Sequence, residues 1–364
     1  MFLVNSLNVG GSERKAVRLA NALAAGDRQV VIAYLNPPES LLPQVGPAIR
    51  TLNLHRRGKF SIRALRRLGA IVREQNISTL VAMNLYSGLY AVLTGLLCRK
   101  QRLRVIVSVN TTHFATLKEE LQMLVYRHVL RRADVIVFGA ERQCRLWCSR
   151  YGLDRTSART IVLYNGVDTA AFSRTRVEPA TLPVPGGSVT LGTVGALRTE
   201  KSQIDLVRAV HQLTARGMDV RAVMVGDGPE RAQIEGESRR LGMESRVHLI
   251  GEAHDVRPYL AVMDIFVLPS VAVETFSNAA LEAMAMSCPV LVTRVGGMDE
   301  MLQFGGGFTY TPGDVRSLCD LLMPLVANAH IRRELGEQAC QAVEKHFSFN
   351  RMLSDFQTRV LGAG

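Results

Sequence analysis

The sequence predicts an α/β protein made of two Rossmann-like domains, each with a parallel, doubly wound sheet. Short, apolar, β-branched runs alternate with amphipathic stretches along the 364 residues, and this alternation is typical of parallel strands covered by helices. Three Pro and two adjacent Gly between residues 173 and 188 interrupt the pattern, because they can continue neither a helix nor an inner strand. The alternation then restarts, as expected of a chain long enough for two domains.

The interruption sets the predicted domain boundaries. Residues 1–172 form an N-terminal domain, 173–188 a linker and 189–345 a C-terminal domain, and residues 346–364 form a helix that packs back toward the N-terminal domain. In the first domain, strands are predicted at Phe2–Ser6, Gln29–Tyr34, Thr79–Met83, Val105–Val109, Val135–Phe138 and Ile161–Tyr164. In the second, they are predicted at Val189–Val194, Val220–Val225, Val247–Ile250, Ile265–Leu268 and Val290–Thr293. The carboxyl ends of the two sheets should then border a cleft, where open α/β sheets bind ligands.

The net charge of +12 is distributed unevenly. Residues 1–180 hold 27 Lys and Arg against 11 Asp and Glu, whereas residues 181–364 hold 17 against 21. This asymmetry predicts an anionic partner for the first half: nucleic acid, phosphates or an acidic lipid surface. A solubilising surface is the plainer alternative.

Two stretches localise the basic charge. One is His55–Lys59 together with Arg63, Arg66 and Arg67; the other is Leu117–Arg132. The second has the pattern of an interfacial helix, but a buried helix with a basic last turn has the same pattern. Its apolar face would contain Leu117, Leu121, Leu124, Val125 and Val129.

The sequence predicts a cytoplasmic protein. Its longest apolar run, Leu89–Cys98, has about half of the ~20 residues that cross a bilayer. The first residues form a strand pattern without the basic region and cleavage site of a signal peptide. The six Cys are scattered, so reduced thiols are expected rather than a metal site, even for Cys144 and Cys148, which lie one helical turn apart.

The first predicted strand is followed by Gly10 and Gly11, ahead of a helix predicted at Lys15–Leu23. The two glycines let the backbone approach a ligand closely, and the helix N-terminus offers N–H groups to a phosphate. A simple tight turn explains them equally well. The sequence matches neither G-x-G-x-x-G here nor a P-loop anywhere, which disfavours a nicotinamide dehydrogenase or a P-loop phosphotransferase.

A denser set of polar residues follows the strands of the second half. The turn after the first strand carries Arg198 and Lys201, and the loop after the second contains Gly226. Glu274 and Glu282 can flank one ligand, with the N–H groups of a helix that begins near Ser277 and Asn278 aimed between them. Carboxylates suit sugar hydroxyls, whereas N–H groups and Lys suit a diphosphate, so the set predicts a nucleotide-sugar site.

With these motifs the chain resembles the retaining glycosyltransferases of family 4, also called glycosyltransferase group 1, which have the GT-B fold. The resemblance covers nearly the whole chain. It rests on Gly10–Arg14, Asn165–Asp168, Val225–Glu230, the E-x7-E pair Glu274 and Glu282, Leu281–Ala285 and Val295–Gly297. It implies that a sugar passes from a UDP- or GDP-linked donor on the C-terminal domain to a carbohydrate or lipid-linked acceptor on the N-terminal domain, with retained anomeric configuration.

The resemblance also implies roles for individual residues. Glu282 should hold the ribose, Glu274 should orient the hydroxyls of the donor sugar, and Lys201 should neutralise the diphosphate. His113 should lie near the reacting sugar. The other implied donor-site residues are Gly10, Gly11, Arg198, Gly226, Phe276, Ser277 and Asn278. Arg198 is assigned because Ala196 occupies the family's usual basic position, and Thr275 replaces a usual Gly.

No cofactor and no metal are expected, because the sequence contains no D-x-D pair for a divalent cation. The expected partners are the nucleotide sugar, the acceptor and an anionic membrane surface, here the inner face of the cell membrane, but not nucleic acid. Cell-surface polysaccharide, glycolipid or lipopolysaccharide biosynthesis is the expected setting. Two alternatives stay open: a nucleotide-sugar epimerase with the GT-B fold, and an inactive nucleotide-sugar-binding partner subunit.

Overall fold

A computed structural model describes residues 1–110, 117–182, 188–272 and 274–362. The chain divides into two compact units. Unit 1 consists of Met1–Leu163 and Leu353–Gly364, and unit 2 of Tyr164–Met352. Each unit contains one parallel sheet with helices, which confirms the predicted fold class.

Unit 1 contains a seven-stranded parallel sheet in the order β3-β2-β1-β4-β5-β6-β7. Its strands are β1 (Phe2–Val4), β2 (Val31–Tyr34), β3 (Arg50–Asn53), β4 (Thr79–Ala82), β5 (Arg104–Val109), β6 (Val135–Phe138) and β7 (Thr160–Val162). Its helices are α1 (Gly11–Ala25), α2 (Ile62–Glu74), α3 (Leu85–Leu97), α4 (Leu117–Arg132) and α5 (Glu141–Tyr151). The sequence did not predict β3, because this edge strand is short, partly exposed and not apolar throughout.

Unit 2 contains a six-stranded parallel sheet in the order β10-β9-β8-β11-β12-β13. Its strands are β8 (Val189–Val194), β9 (Val220–Val225), β10 (Val247–Gly251), β11 (Ile265–Leu268), β12 (Val290–Thr293) and β13 (Gly307–Tyr310). Its helices are α6 (Ile204–Ala215), α7 (Arg231–Arg240), α8 (Arg257–Ala261), α9 (Asn278–Ala285), α10 (Met298–Met301), α11 (Val315–Ala327) and α12 (Ala329–His346). The edge strand β13 was not predicted either.

Local sequence explains where the helices begin. Gly10, in an extended conformation, precedes α1, which therefore starts at Gly11, ahead of the predicted Lys15. The Ser61 hydroxyl accepts a hydrogen bond from the N–H of Ala64 at the start of α2. Asn84 forms a reciprocal capping box at the start of α3. The side chains of Ser61 and Asn84 thus accept hydrogen bonds from N–H groups that have no partner within the first turn of a helix.

The last residues of the chain return to unit 1. Helix α13 (Phe349–Asp355) is followed by a short π-helical turn, Phe356–Val360. The ring of Phe356 stacks on that of Phe2 with centroids 6.0 Å apart, and the Arg104 guanidinium donates to the carbonyl of Leu361. The C-terminal segment therefore packs beside the first strand of the sheet.

Two residues of the predicted apolar face of helix α4 have described side chains, and they differ in burial. Val129 is buried, as is the neighbouring Leu130, whereas Leu124 is 52% exposed. In its last turn Arg131 donates to the carbonyls of Tyr151 and Gly152, which ties the helix end to the body of unit 1. These contacts fit a helix with a basic last turn and leave both alternatives open.

Two helical glycines in unit 2 predict opposite stability effects. A Cβ on Gly336 of α12 would lie 2.2 Å from the carbonyl oxygen of Ser287, whereas a Cβ on Gly236 of α7 would meet nothing within 4 Å. Gly336→Ala should therefore lower the free energy of unfolding by about 1–3 kcal/mol. Gly236→Ala should raise it by about 0.5–1 kcal/mol. Urea unfolding of both variants tests this, and a stabilised Gly336→Ala protein would contradict the close packing of α12.

Candidate functional site

The candidate site lies at the carboxyl edge of the unit 2 sheet. Four loops meet there, after β8, β9, β11 and β12. In the strand order these strands are neighbours, and the order of the chain reverses between β8 and β11. Open α/β sheets bind ligands at such a switch point, because the loops on either side of it diverge.

The loops after β8 and β9 are joined by backbone hydrogen bonds that continue the sheet. Gly195 N–H donates to the Val225 carbonyl at 2.9 Å, and Leu197 N–H donates to that of Asp227 at 3.0 Å. Gly226 has a φ of +136°, and a Cβ there would lie 2.1 Å from the Gly195 carbonyl oxygen. The close approach of the two loops thus requires glycine at position 226.

The two cations predicted in the first loop have different surroundings. Lys201 ends a 3-10 turn, Thr199–Lys201, and its ammonium forms an ion pair with the Glu274 carboxylate. The Arg198 side chain is 62% exposed and comes no closer than 3.9 Å to Glu200. The structure therefore brings Lys201, but not Arg198, into contact with Glu274.

The Glu274 carboxylate is nearly buried, with 8% of its side chain exposed. The Ser270 hydroxyl donates to its Oε1 at 2.9 Å, and the Lys201 ammonium donates to the same oxygen. The Thr293 hydroxyl at the end of β12 donates in turn to the Ser270 carbonyl. Because a buried carboxylate is costly unless it is paired and hydrogen-bonded, this chain of contacts determines where Glu274 lies.

The backbone of the Glu274 loop is held from two further directions. Gly296 has a φ of +60°, and a Cβ there would lie 1.9 Å from the Glu274 carbonyl oxygen. Gly297 N–H donates to the Thr275 carbonyl at 2.8 Å. From the other direction, the Asn165 amide donates to the Phe276 carbonyl at 2.9 Å.

Helix α9 begins next to this loop. The Ser277 hydroxyl accepts a hydrogen bond from Ala280 N–H at 3.3 Å, and Asn278 is the first helical residue. The half-buried Glu282 lies one turn further along the same helix. By contrast, the Phe276 ring is buried among aromatic rings, with centroids 4.8 Å from Tyr164 and 5.2 Å from Phe347.

Three residues that support the site were not identified from the sequence as functional. Thr293 and Asn165 each bond a group that lies far away in the chain, whereas Ser270 bonds the carboxylate of Glu274, four residues further on. Only the positions of these residues in the sequence could have indicated a functional role. Ser270 and Thr293 lie at or just after the ends of predicted strands, and Asn165 lies in a segment that carries the family resemblance.

The remaining predicted residues lie in unit 1 or outside the described residues. Gly10 precedes α1 and Gly11 is its first residue, and their contact with a phosphate stays a prediction. His113 falls outside the described residues.

Within the described part of the chain, no group of three or more His, Cys, Asp or Glu is arranged to hold a metal ion. Burial raises the pKa of the Cys144 thiol to about 12, so that it stays protonated at neutral pH.

Comparison with known proteins identifies the family. The family model "Glycosyltransferase Family 4" matches residues 9–171, and the model "Glycosyl transferases group 1" matches residues 188–328. The chain therefore belongs to the group 1 glycosyltransferases.

Individual relatives match only part of the chain. N-acetyl-alpha-D-glucosaminyl L-malate synthase of Bacillus anthracis is 32% identical over 45% of this chain and 43% of its own length. The lipopolysaccharide core biosynthesis glycosyltransferase LpsE of Rhizobium meliloti is 30% identical over 47% of this chain and 49% of its own length. The chain thus spans about half the length of these curated relatives.

Solved structures match the whole chain in fold. Anabaena Alr3699/HepE, solved in complex with UDP, has a TM-score of 0.83 and 19% identity over 100% of this chain and 99% of its own. A sucrose-phosphate synthase from Thermosynechococcus elongatus has a TM-score of 0.80 and 20% identity over 98% of this chain and 96% of its own. These similarities confirm the predicted GT-B fold.

The Ser270 contact leads to a kinetic prediction. Ser270→Ala removes a hydrogen bond to a charged group, worth about 1.5–3 kcal/mol. The kcat/KM for the nucleotide sugar that supports turnover should therefore fall about 10- to 100-fold. Ser270→Thr, which keeps a hydroxyl, should restore part of it. The control is Ser238→Ala, which removes another buried hydroxyl of unit 2 that makes no hydrogen bond. Equal losses in the Ser270→Ala and Ser238→Ala proteins would rule out a positioning role.

Proposed function

We propose that this protein transfers a sugar from a nucleotide diphosphate to an acceptor hydroxyl, with retained configuration, in the synthesis of cell-surface polysaccharide or glycolipid. The ion pair of Lys201 and Glu274 at the switch point of unit 2 carries the proposal. It sets a cation for phosphate beside a carboxylate for sugar hydroxyls, next to the first turn of α9.

Each group at this edge has a role in the proposed reaction. Glu282 binds the ribose and Glu274 orients the donor sugar. Lys201 and the N–H groups of α9 stabilise the negative charge that develops on the leaving diphosphate. They are fixed before the reaction, so they need little reorganisation as that charge forms. The diphosphate is then neutralised without a metal ion.

The donor is proposed to carry UDP or GDP. Anabaena HepE was solved with UDP and with UDP-glucose, which favours UDP as the first donor to test. The LpsE relative is named for lipopolysaccharide core biosynthesis, which favours a carbohydrate or lipid-linked acceptor.

Unit 1 is proposed to bind this acceptor at the inner face of the cell membrane. Its excess of Lys and Arg suits an anionic lipid surface. The association is proposed to be peripheral. No helix of the described residues is both long and apolar enough to span a bilayer.

Substitutions in the donor site should distinguish residues that bind the nucleotide sugar from residues that do not. Lys201→Ala and Glu282→Ala should each lower kcat/KM about 10- to 100-fold, because each removes a charged contact worth about 1.4–3 kcal/mol. Far-UV circular dichroism should stay native. Lys345→Ala and Glu337→Ala, at exposed positions of α12 in the same unit, are the matched controls. Wild-type turnover in the Lys201→Ala or Glu282→Ala protein would remove the donor-site assignment.

The reaction itself is tested by assaying release of nucleoside diphosphate from a panel of nucleotide sugars, with and without a lipid-linked acceptor. Acceptor-dependent release that survives EDTA is expected, and NMR of the product should show the anomeric configuration of the donor. Loss of activity with EDTA and rescue by Mg²⁺ would show that a metal neutralises the diphosphate. An epimerised sugar without acceptor would indicate an epimerase, and binding without turnover an inactive subunit.

A further inference from the structure

A basic and apolar patch covers one end of unit 1. It contains seven exposed residues of the loop after β3 and the first half of α2: Arg57, Lys59, Phe60, Ile62, Arg63, Arg66 and Arg67. Phe60 is 44% and Ile62 60% exposed. No Asp or Glu occurs between Leu54 and Arg73, and no ion pair among the described residues involves the five cations of the patch.

We propose that this patch docks unit 1 on an anionic lipid bilayer, with Phe60 and Ile62 entering the boundary between headgroups and acyl chains. The cations then lie at the level of the lipid phosphates. This inference deepens the proposed function and rests on it for the lipid-linked acceptor. Single exposed apolar residues are ordinary on protein surfaces. Two of them within a basic stretch that contains no Asp or Glu are typical of interfacial segments.

The loop presents Phe60 and Ile62 in a fixed conformation. The Phe60 ring lies 5.1 Å from that of Tyr90, between centroids, and the Tyr90 hydroxyl accepts a hydrogen bond from Ser61 N–H at 2.8 Å. Ser61 also caps α2, of which Ile62 is the first residue. The loop therefore loses little conformational entropy when it binds to the bilayer.

Arg56 is not part of the patch, although the sequence places it in the same basic stretch. Its guanidinium donates to the Gly58 carbonyl at 2.6 Å and to the Tyr86 hydroxyl at 3.1 Å, and it lies 5.2 Å from the centre of the Tyr86 ring. Arg56 thus shapes the loop, and the lipid-facing cations are the ones that follow it.

The position of the patch suits delivery of an acceptor. In a parallel sheet all strands end at the same edge, so the loop after β3 lies at the edge that carries Gly10 and Gly11 after β1. Only β2 separates the two strands, which places their ends about 10 Å apart. A lipid headgroup beside the patch is therefore close to the turn of Gly10 and Gly11, which the family resemblance assigns to the donor site.

The apolar residues favour a bilayer over nucleic acid. Proteins that bind single strands stack bases on aromatic rings, but Ile62, the more exposed of the two apolar residues, has no ring. A soluble polyanion would contact the cations and leave both apolar side chains in water. An anionic lipid surface, in contrast, uses both halves of the patch.

The test is flotation of the full chain with phosphatidylcholine vesicles that contain or lack phosphatidylglycerol. The wild type should bind only the anionic vesicles, and raising the salt concentration should weaken binding because salt screens the cations. Arg63→Gln/Arg66→Gln/Arg67→Gln should reduce binding at least about 10-fold. Its control, Arg99→Gln/Lys100→Gln/Arg102→Gln, removes the same charge from exposed or partly exposed residues elsewhere in unit 1 and should bind like the wild type.

The apolar half is tested by Phe60→Ser/Ile62→Ser, which should also lower vesicle binding about 10-fold. Phe308→Ser removes a ring with similar exposure, 42%, from unit 2 and should have no effect. Circular dichroism checks the fold of every variant. The proposal is overturned if the wild type ignores anionic vesicles, if both charge triples lose binding equally, or if duplex DNA competes fully and Phe60→Ser/Ile62→Ser binds normally.

A separate measurement distinguishes failure of the patch from failure of the proposed function. Thermal shift with UDP-glucose reports the donor site and should be the same for the wild type and all patch variants. Nucleotide-sugar stabilisation without vesicle binding would overturn the patch alone. Vesicle binding without stabilisation by any nucleotide sugar, or without turnover, would overturn the proposed function and leave the patch as a membrane-docking surface.

Discussion

Burial of the Glu274 carboxylate is the constraint on which the candidate site depends. An unpaired carboxylate in this position would cost several kcal/mol, and the sequence meets this cost with Lys201 and Ser270 on the same oxygen. The two partners come from loops on either side of the switch point, so the pairing exists only if both loops keep their conformation. Gly226 and Gly296 help to keep these loops in their conformation, because each allows a close backbone approach that a Cβ would block.

The sequence was most informative where one physical signal dominates. Inner strands are buried on both faces and appear as continuous apolar runs, so most of the predicted strands were found close to their true bounds. The edge strands β3 and β13 were missed because they carry exposed or polar residues and lack that run. The start of α1 was predicted four residues late, because the glycines that suggest a turn here also begin the helix.

The site shows a different limit. Lys201, Glu274 and Ser277 could be singled out because charge and capping chemistry are visible at single positions. Thr293 acts through a hydrogen bond to a carbonyl that only the fold brings close, and Ser270 bonds a carboxylate four residues further along an irregular loop. Nothing in a serine or threonine at a strand end indicates its partner. The same limit applies to Phe276, whose ring packs with Tyr164 from a segment more than a hundred residues away.

The two units also use their charges differently. In unit 2 cations are largely paired: Arg240 and Arg208 bind Glu237 and lower its pKa to about 2, and Arg246 contacts Asp219 at 2.7 Å. Such pairs largely cancel each other's electrostatic field. A ligand bound to unit 2 therefore interacts with individual hydrogen-bond donors rather than with an extended positive potential. The patch on unit 1 has cations without carboxylates, and its field extends over about a Debye length into solvent. A broad field suits an extended anionic surface, whereas a compensated site such as that of Lys201 and Glu274 suits one small, specifically oriented molecule. The uneven charge of the chain is therefore what the two proposed binding tasks, one on an extended surface and one on a small molecule, would require.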